Sequence, residues 1–184
     1  MGSFSSDKKV SFESIESEFN ETFGYVARDI AFLLEKKTGL NYTIALLVCC
    51  DCEMLTWHQG LKDYQVFTSL LPNTEPYKAA GKTLWEALRH GLAHNFRPKT
   101  IVTMNNEEWR FTISSQPNFP QMSVTKGQPH WVHINIRELA ERVISKIAAY
   151  EKELRTRAGA RSTFVRRVKE KHKTKRYAQV FQRR

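Results

Sequence analysis

The sequence has few cysteines, no long hydrophobic run and no glycine-rich phosphate loop. Its three cysteines lie within four positions, at Cys49, Cys50 and Cys52, a spacing too close for a disulfide framework. The longest apolar stretch, 44–50, is about a third of the roughly 20 residues that a membrane-spanning helix needs. No basic start is followed by an apolar run, so we expect no signal peptide, no membrane contact and a cytoplasmic location. Without a phosphate loop, nucleotide hydrolysis lacks its usual binding element.

The net charge of +10 comes from one end of the chain. Residues 151–184 contain 13 Lys and Arg against three Glu, a balance of +10. Residues 1–150 contain 16 Lys and Arg and 16 Asp and Glu, a balance of zero. The sequence therefore predicts a neutral body, 1–157, and a basic C-terminal helical tail, 158–184.

Apolar residues recur at steps of three and four along most of the chain, which predicts a mainly α-helical fold. The hydrophobic share of 41% is typical of a folded protein. Ser11 is the predicted N-cap of the first helix, and Gly39 follows its end. The predicted helices span 11–36, 42–58, 61–71, 77–95 and 136–154, and a last basic helix has its cap at Ser162.

Between about 100 and 135 the pattern changes to the alternation that is typical of strands. One antiparallel hairpin is predicted from 100–104 and 109–114, and a second from 122–125 and 131–135. The sequence thus predicts a small antiparallel β insertion before the penultimate helix.

Arg89 and His94 are the strongest candidates for chemistry. Both lie near the end of the 77–95 helix, where unpaired carbonyls favour a protonated imidazole. His94 would then titrate near neutral pH and act as a general acid or base. Arg89 is permanently charged and suits a phosphate that gains negative charge during a reaction.

The segment 84–96, LWEALRHGLAHNF, resembles the motif helix of HEPN domains, a helical superfamily that includes ribonucleases and toxins. Arg89 matches the motif arginine, His90 the polar residue and His94 the histidine. A looser likeness extends over roughly 10–157 and implies a HEPN-like helical bundle. Many members carry an acid on an earlier helix, for which Glu53 is the candidate and Asp51 the reserve.

The resemblance implies a metal-independent endoribonuclease without a cofactor, in a toxin or a defence effector. The ribose 2′-hydroxyl attacks the adjacent phosphate, His94 moves a proton and Arg89 stabilises the phosphorane. It also implies a homodimer whose motif helices face one another, and a cognate antitoxin or another protein partner.

RNA is the expected ligand of the basic residues, through release of counterions from phosphates. A solvated helix, or a tail that docks on an acidic partner, explains the same charge. The predicted RNA-binding residues are His90, Asn95, Arg97, Arg166, Arg167, Lys171, Lys173, Lys175 and Arg176.

Two other interpretations stay open. The first is a catalytically inactive HEPN-like module that binds RNA or protein. The second is an unrelated helical protein in which Arg89 pairs with an acid and His94 caps its helix. The spacing alone is weak, because Arg167 and His172 repeat it in the tail. No metal site is predicted: His90 and His94 lack the glutamate of a metalloprotease, and alternation directs His130 and His133 to opposite faces of a strand.

Overall fold

A computed structural model describes residues 10–36, 40–73, 77–95, 100–102, 105–116, 123–127 and 129–181, with the backbone alone described at 77–80, 93–95, 123–125 and 171–181. The fold is mainly helical with a small β insertion, as predicted. No helix in these ranges is both long and apolar enough to cross a membrane. The helices are α1 (Glu16–Phe19), α2 (Tyr25–Glu35), α3 (Asn41–Gln59), α4 (Gln65–Leu70), α5 (Tyr77–Asn95), α6 (Ile136–Thr156) and α7 (Ala158–Phe181), and the strands are β1 (Ile101–Val102), β2 (Glu108–Ser114), β3 (Ser123–Thr125) and β4 (His130–Asn135).

The first predicted helix is a composite. A π-helical turn, Asn20–Gly24, joins α1 to α2. The predicted cap at Ser11 is wrong, since its carbonyl accepts a hydrogen bond from Ser14 in a turn before the helix. The helix ends at Glu35 because Lys36 is extended, and Gly39 lies outside the described residues.

Helix α3 lies at the centre of the fold, and its predicted bounds are confirmed to within one residue. It contacts α2, α4, α5, α6, α7 and β2, which explains why its sequence is apolar nearly all round. Gly60 ends it with a φ of 69°, a left-handed conformation that glycine adopts without strain.

The strands form one four-stranded sheet in the order β1-β2-β4-β3. Both predicted antiparallel pairs are present, β1 with β2 and β3 with β4. The prediction of a purely antiparallel insertion is wrong, however, because the central pair β2 and β4 is parallel, with Trp109 opposite His130. The two hairpins therefore merge into one sheet, whose buried face includes Ile113, Val132 and Ile134.

Asn135 joins the sheet to α6. Its side-chain oxygen accepts hydrogen bonds from the backbone N–H groups of Arg137 (3.1 Å) and Glu138 (3.3 Å). We expect Asn135→Ala to lower the free energy of unfolding by about 1 kcal/mol, because two N–H groups at the helix start lose their acceptor. Urea unfolding measures the change. Asn135→Asp, which keeps the acceptor, is the control, and equal losses in both variants would contradict the capping role.

A glycine allows α4 to lie close to α5. A Cβ atom at Gly81 of α5 would approach Cγ2 of Thr68 of α4 to 2.6 Å, so with a larger residue either the Thr68 side chain or the helices would have to shift. The connection from α3 to α4, which includes Tyr64, also lies beside α5.

The first half of α7 belongs to the packed body. Phe164 is fully buried and stacks on the ring of His58, with centroids 4.9 Å apart. The predicted cap at Ser162 is wrong, because the helix already begins at Ala158. Arg157 is extended between α6 and α7, and burial of Phe164 ties α7 to the body.

Candidate functional site

Arg89 and Glu53 form an ion pair between α5 and α3, through Nε of the arginine and Oε1 of the glutamate. The side chains are 39% and 38% exposed, so solvent and a ligand can reach them. The ion pair uses Nε of Arg89, and the guanidinium has four further N–H donors besides. The acid proposed from the resemblance thus meets the motif arginine.

A cleft of about 440 Å³ opens beside this pair. Its walls are α5 and the connection between α3 and α4. Three cationic and two anionic side chains line it, so its charge balance is +1. The lining residues are Lys62, Asp63, Tyr64, Lys82, Trp85, Glu86, Arg89 and His90.

Helix α5 is continuous from Arg89 to His94. Gly91 between them is buried and does not interrupt the helix. Five residues of an α-helix rotate by about 140° and rise by about 7.5 Å, so the two Cα positions lie on different sides of α5. The side chains of His94 and Asn95 and the whole of Arg97 lie outside the described residues.

The cysteines next to the site are not activated nucleophiles. Burial raises the pKa of the Cys49 thiol, with smaller contributions from Cys50 and Glu53, while Arg89 lowers it. The pKa of Cys50, the exposed cysteine of the three, is also raised, again chiefly by desolvation and next by Glu53. Since the thiolate is the reactive form, chemistry at this site falls to other groups.

Asp51, the reserve candidate, is not part of the site. It lies two residues from Glu53, about 200° around α3, and is 0% exposed. Neither of its carboxylate oxygens has a hydrogen-bond partner among the described residues. Desolvation raises its pKa from 3.8 to about 7. Glu53 is therefore the acid that the fold brings to Arg89.

Within the described ranges, no three His, Cys, Asp or Glu side chains are close enough together to hold a metal ion. His130 accepts a hydrogen bond from the backbone of Gly127 (3.2 Å), and its ring lies 4.6 Å from that of Trp109. The odd spacing of His130 and His133 puts them at positions of β4 on opposite sheet faces.

Part of the predicted basic surface is engaged within the chain. The Arg167 guanidinium lies 5.6 Å from the centre of the Trp57 ring and donates a hydrogen bond to Glu170 (3.0 Å). Arg166 lies 3.7 Å from the same carboxylate. Lys171, Lys173, Lys175 and Arg176 follow on the helical backbone of α7, and their side chains lie outside the described part of the chain.

The sequence did not indicate most of the cleft. Lys82, Glu86 and Arg89 are spaced four and three apart, which is the signal of a shared helix face. Asp63 and Tyr64 carry no such signal, because they reach the cleft only when the chain folds back after α3.

Comparison of the chain with protein-family models, curated proteins and solved structures finds no match. The HEPN resemblance therefore stays a prediction that rests on the motif residues.

Proposed function

We propose that the protein is a metal-independent, HEPN-like endoribonuclease that acts as a homodimer. The single observation that supports this most is the exposed Arg89–Glu53 pair, which joins the motif arginine to the predicted acid at the edge of an open cleft. In the proposed reaction the RNA 2′-hydroxyl attacks its adjacent phosphorus and the bond to the 5′-oxygen of the next nucleotide breaks. The products are a 2′,3′-cyclic phosphate and a 5′-hydroxyl.

Arg89 binds a non-bridging oxygen of the phosphate and stabilises the charge that grows on it in the transition state. Glu53 is a positioning residue that holds the guanidinium in one orientation. His94 moves a proton to or from the reacting oxygens, and its place in the last turn of α5 favours the charged imidazole.

The homodimer is supported by the helix geometry. Arg89 and His94 are about 140° apart around α5, so a second copy is the simplest way to assemble both around one phosphate. Next to Glu53, α3 has solvent-facing residues Tyr42 and Cys50, with the half-buried Leu46 between them. Their four-residue spacing makes one apolar stripe, on which we place the second subunit.

The experiment that tests this function incubates the pure protein with end-labelled single-stranded RNA in EDTA. We expect fragments that end in a cyclic phosphate, and no cleavage of a matched strand with 2′-deoxyribose at the cut position. Fragments with 3′-hydroxyl ends, or a need for metal, would contradict the mechanism. Binding without cleavage would instead support the inactive RNA-binding module.

The basic tail gives a separate prediction. Deleting 171–184 removes six Lys and Arg and no acid, and it leaves Phe164 in the core. We expect weaker RNA binding and a smaller dependence of the affinity on salt, because fewer counterions are released. RNA affinities measured at several salt concentrations decide this. If the slope of log affinity against log salt concentration is unchanged, binding belongs to the body. Deleting 159–184 is a poor test since it also removes Phe164.

A further inference from the structure

We infer that the end of the cleft away from Arg89 is a subsite for a guanine nucleotide of single-stranded RNA. The inference deepens the proposed function and rests on it, because the subsite holds the nucleotide next to the phosphate that Arg89 binds. Three features of the cleft support it: its length, the Tyr64 ring at its far end, and the exposed carboxylate of Asp63, which has no ion pair among the described residues.

The cleft has room for one nucleotide beyond Arg89. Lys82 and Arg89 are seven residues apart on α5, which corresponds to about 10 Å along the helix axis. A base with its ribose and phosphate spans such a distance. Trp85 lies between them at the cleft wall and is held by a ring contact with Phe67, with centroids 5.2 Å apart.

Tyr64 is the stacking residue of the proposed subsite. It is half-buried, and its ring centre lies 6.0 Å from the Lys82 ammonium group. An aromatic face beside a cation is suited to a nucleotide, because the ring stacks on the base and the ammonium group binds a phosphate. Lys62 adds a second cation to the cleft lining.

Asp63 makes the subsite selective for guanine. Its side chain is exposed and forms no ion pair or hydrogen bond within the described residues, whereas Glu86 lies 3.7 Å from Lys82. An ionised carboxylate only accepts hydrogen bonds, and it has two oxygens to do so. Guanine presents two adjacent donors, N1–H and the N2 amino group, while the edges of the other RNA bases place an acceptor beside each donor.

Binding of nucleoside 3′-monophosphates to the full chain tests this by calorimetry. We expect 3′-GMP to bind at least about tenfold more tightly than 3′-AMP, 3′-CMP or 3′-UMP, as a bidentate base contact allows. Asp63→Asn should remove this preference, and Tyr64→Ala should weaken all four by about tenfold. Glu141→Gln on α6, an exposed carboxylate outside the cleft, is the control and should change nothing.

Equal affinity for the four nucleotides, or a guanine preference that survives Asp63→Asn in a folded variant, would overturn the subsite. The test is independent of cleavage. If the protein cleaves RNA but binds the four nucleotides equally, the subsite is overturned and the proposed ribonuclease activity stands. If the protein binds 3′-GMP selectively but does not cleave RNA, the result contradicts the proposed ribonuclease activity and supports the subsite.

Discussion

Replacing His94 with alanine is expected to lower the rate of RNA cleavage by about 10²–10⁴-fold, because the proposed reaction loses its proton-transfer group. Arg89→Ala should lower the cleavage rate by about 10²–10³-fold, because no cation then stabilises the negative charge that grows on the phosphate. Glu53→Gln should lower the cleavage rate less than either of these changes, since Arg89 keeps its charge and loses only its fixed orientation. Single-turnover cleavage of one RNA in EDTA measures all three rates.

The tail provides matched controls. Arg167 and His172 have the same five-residue separation on a helix but lie far along the chain from the cleft. We expect His172→Ala to leave the single-turnover rate at saturating protein within about twofold, since in the proposed mechanism the tail affects RNA binding and not the chemical step. Losses of equal size in His94→Ala and His172→Ala would contradict the assignment of α5 as the catalytic helix.

The second large effect concerns Asp51 and the dependence of stability on pH. The folded chain holds the proton of this buried carboxyl more tightly than the unfolded chain, because its pKa rises from 3.8 to about 7 through desolvation. The protonated Asp51 carboxyl therefore makes its full contribution to stability below about pH 4. This contribution falls as the pH rises and is lost above about pH 7. At about 1.4 kcal/mol per pKa unit, the full loss is at most about 4 kcal/mol.

When the pH is raised from 5 to 8, the free energy of unfolding of the wild-type protein should fall by about 2.5 kcal/mol more than that of Asp51→Asn, whose amide does not ionise. Urea unfolding at the two pH values measures the difference. Asp63→Asn, which changes an exposed carboxylate, should retain the wild-type pH dependence. Parallel pH profiles for wild type and Asp51→Asn would show that another group is responsible.

Local patterns predicted most of the helices. The bounds of α5 are confirmed because its start follows Pro76 and its apolar stripe, including Leu84 and Leu88, has a clear period. The π-helical turn after Phe19 was missed, since no residue type marks it. The cap at Ser162 failed because Arg161 contacts the end of α6, donating to the carbonyls of Leu154 (2.9 Å) and Arg155 (3.0 Å), and the chain enters α7 earlier.

Contacts between segments that are distant in the sequence were harder to predict. Each antiparallel hairpin follows from neighbouring residues, but the parallel register of Trp109 with His130 joins segments 21 residues apart. For the same reason Glu53 was a candidate only through the HEPN resemblance, and neither its contact with Arg89 nor the arrival of Tyr64 at the cleft was predicted. Residue types suggested the chemistry, while packing of α3 and α4 on α5 decided which residues meet.

In the proposed enzyme, Arg89 of one subunit and His94 of another act on the same phosphate. Mixing the inactive variants Arg89→Ala and His94→Ala under conditions that exchange subunits tests this shared site. Half of the dimers are then mixed and each has one intact site, so cleavage should recover to about a quarter of the wild-type rate. Mixed dimers that form, as shown by light scattering with tagged subunits, but remain inactive would contradict the claim.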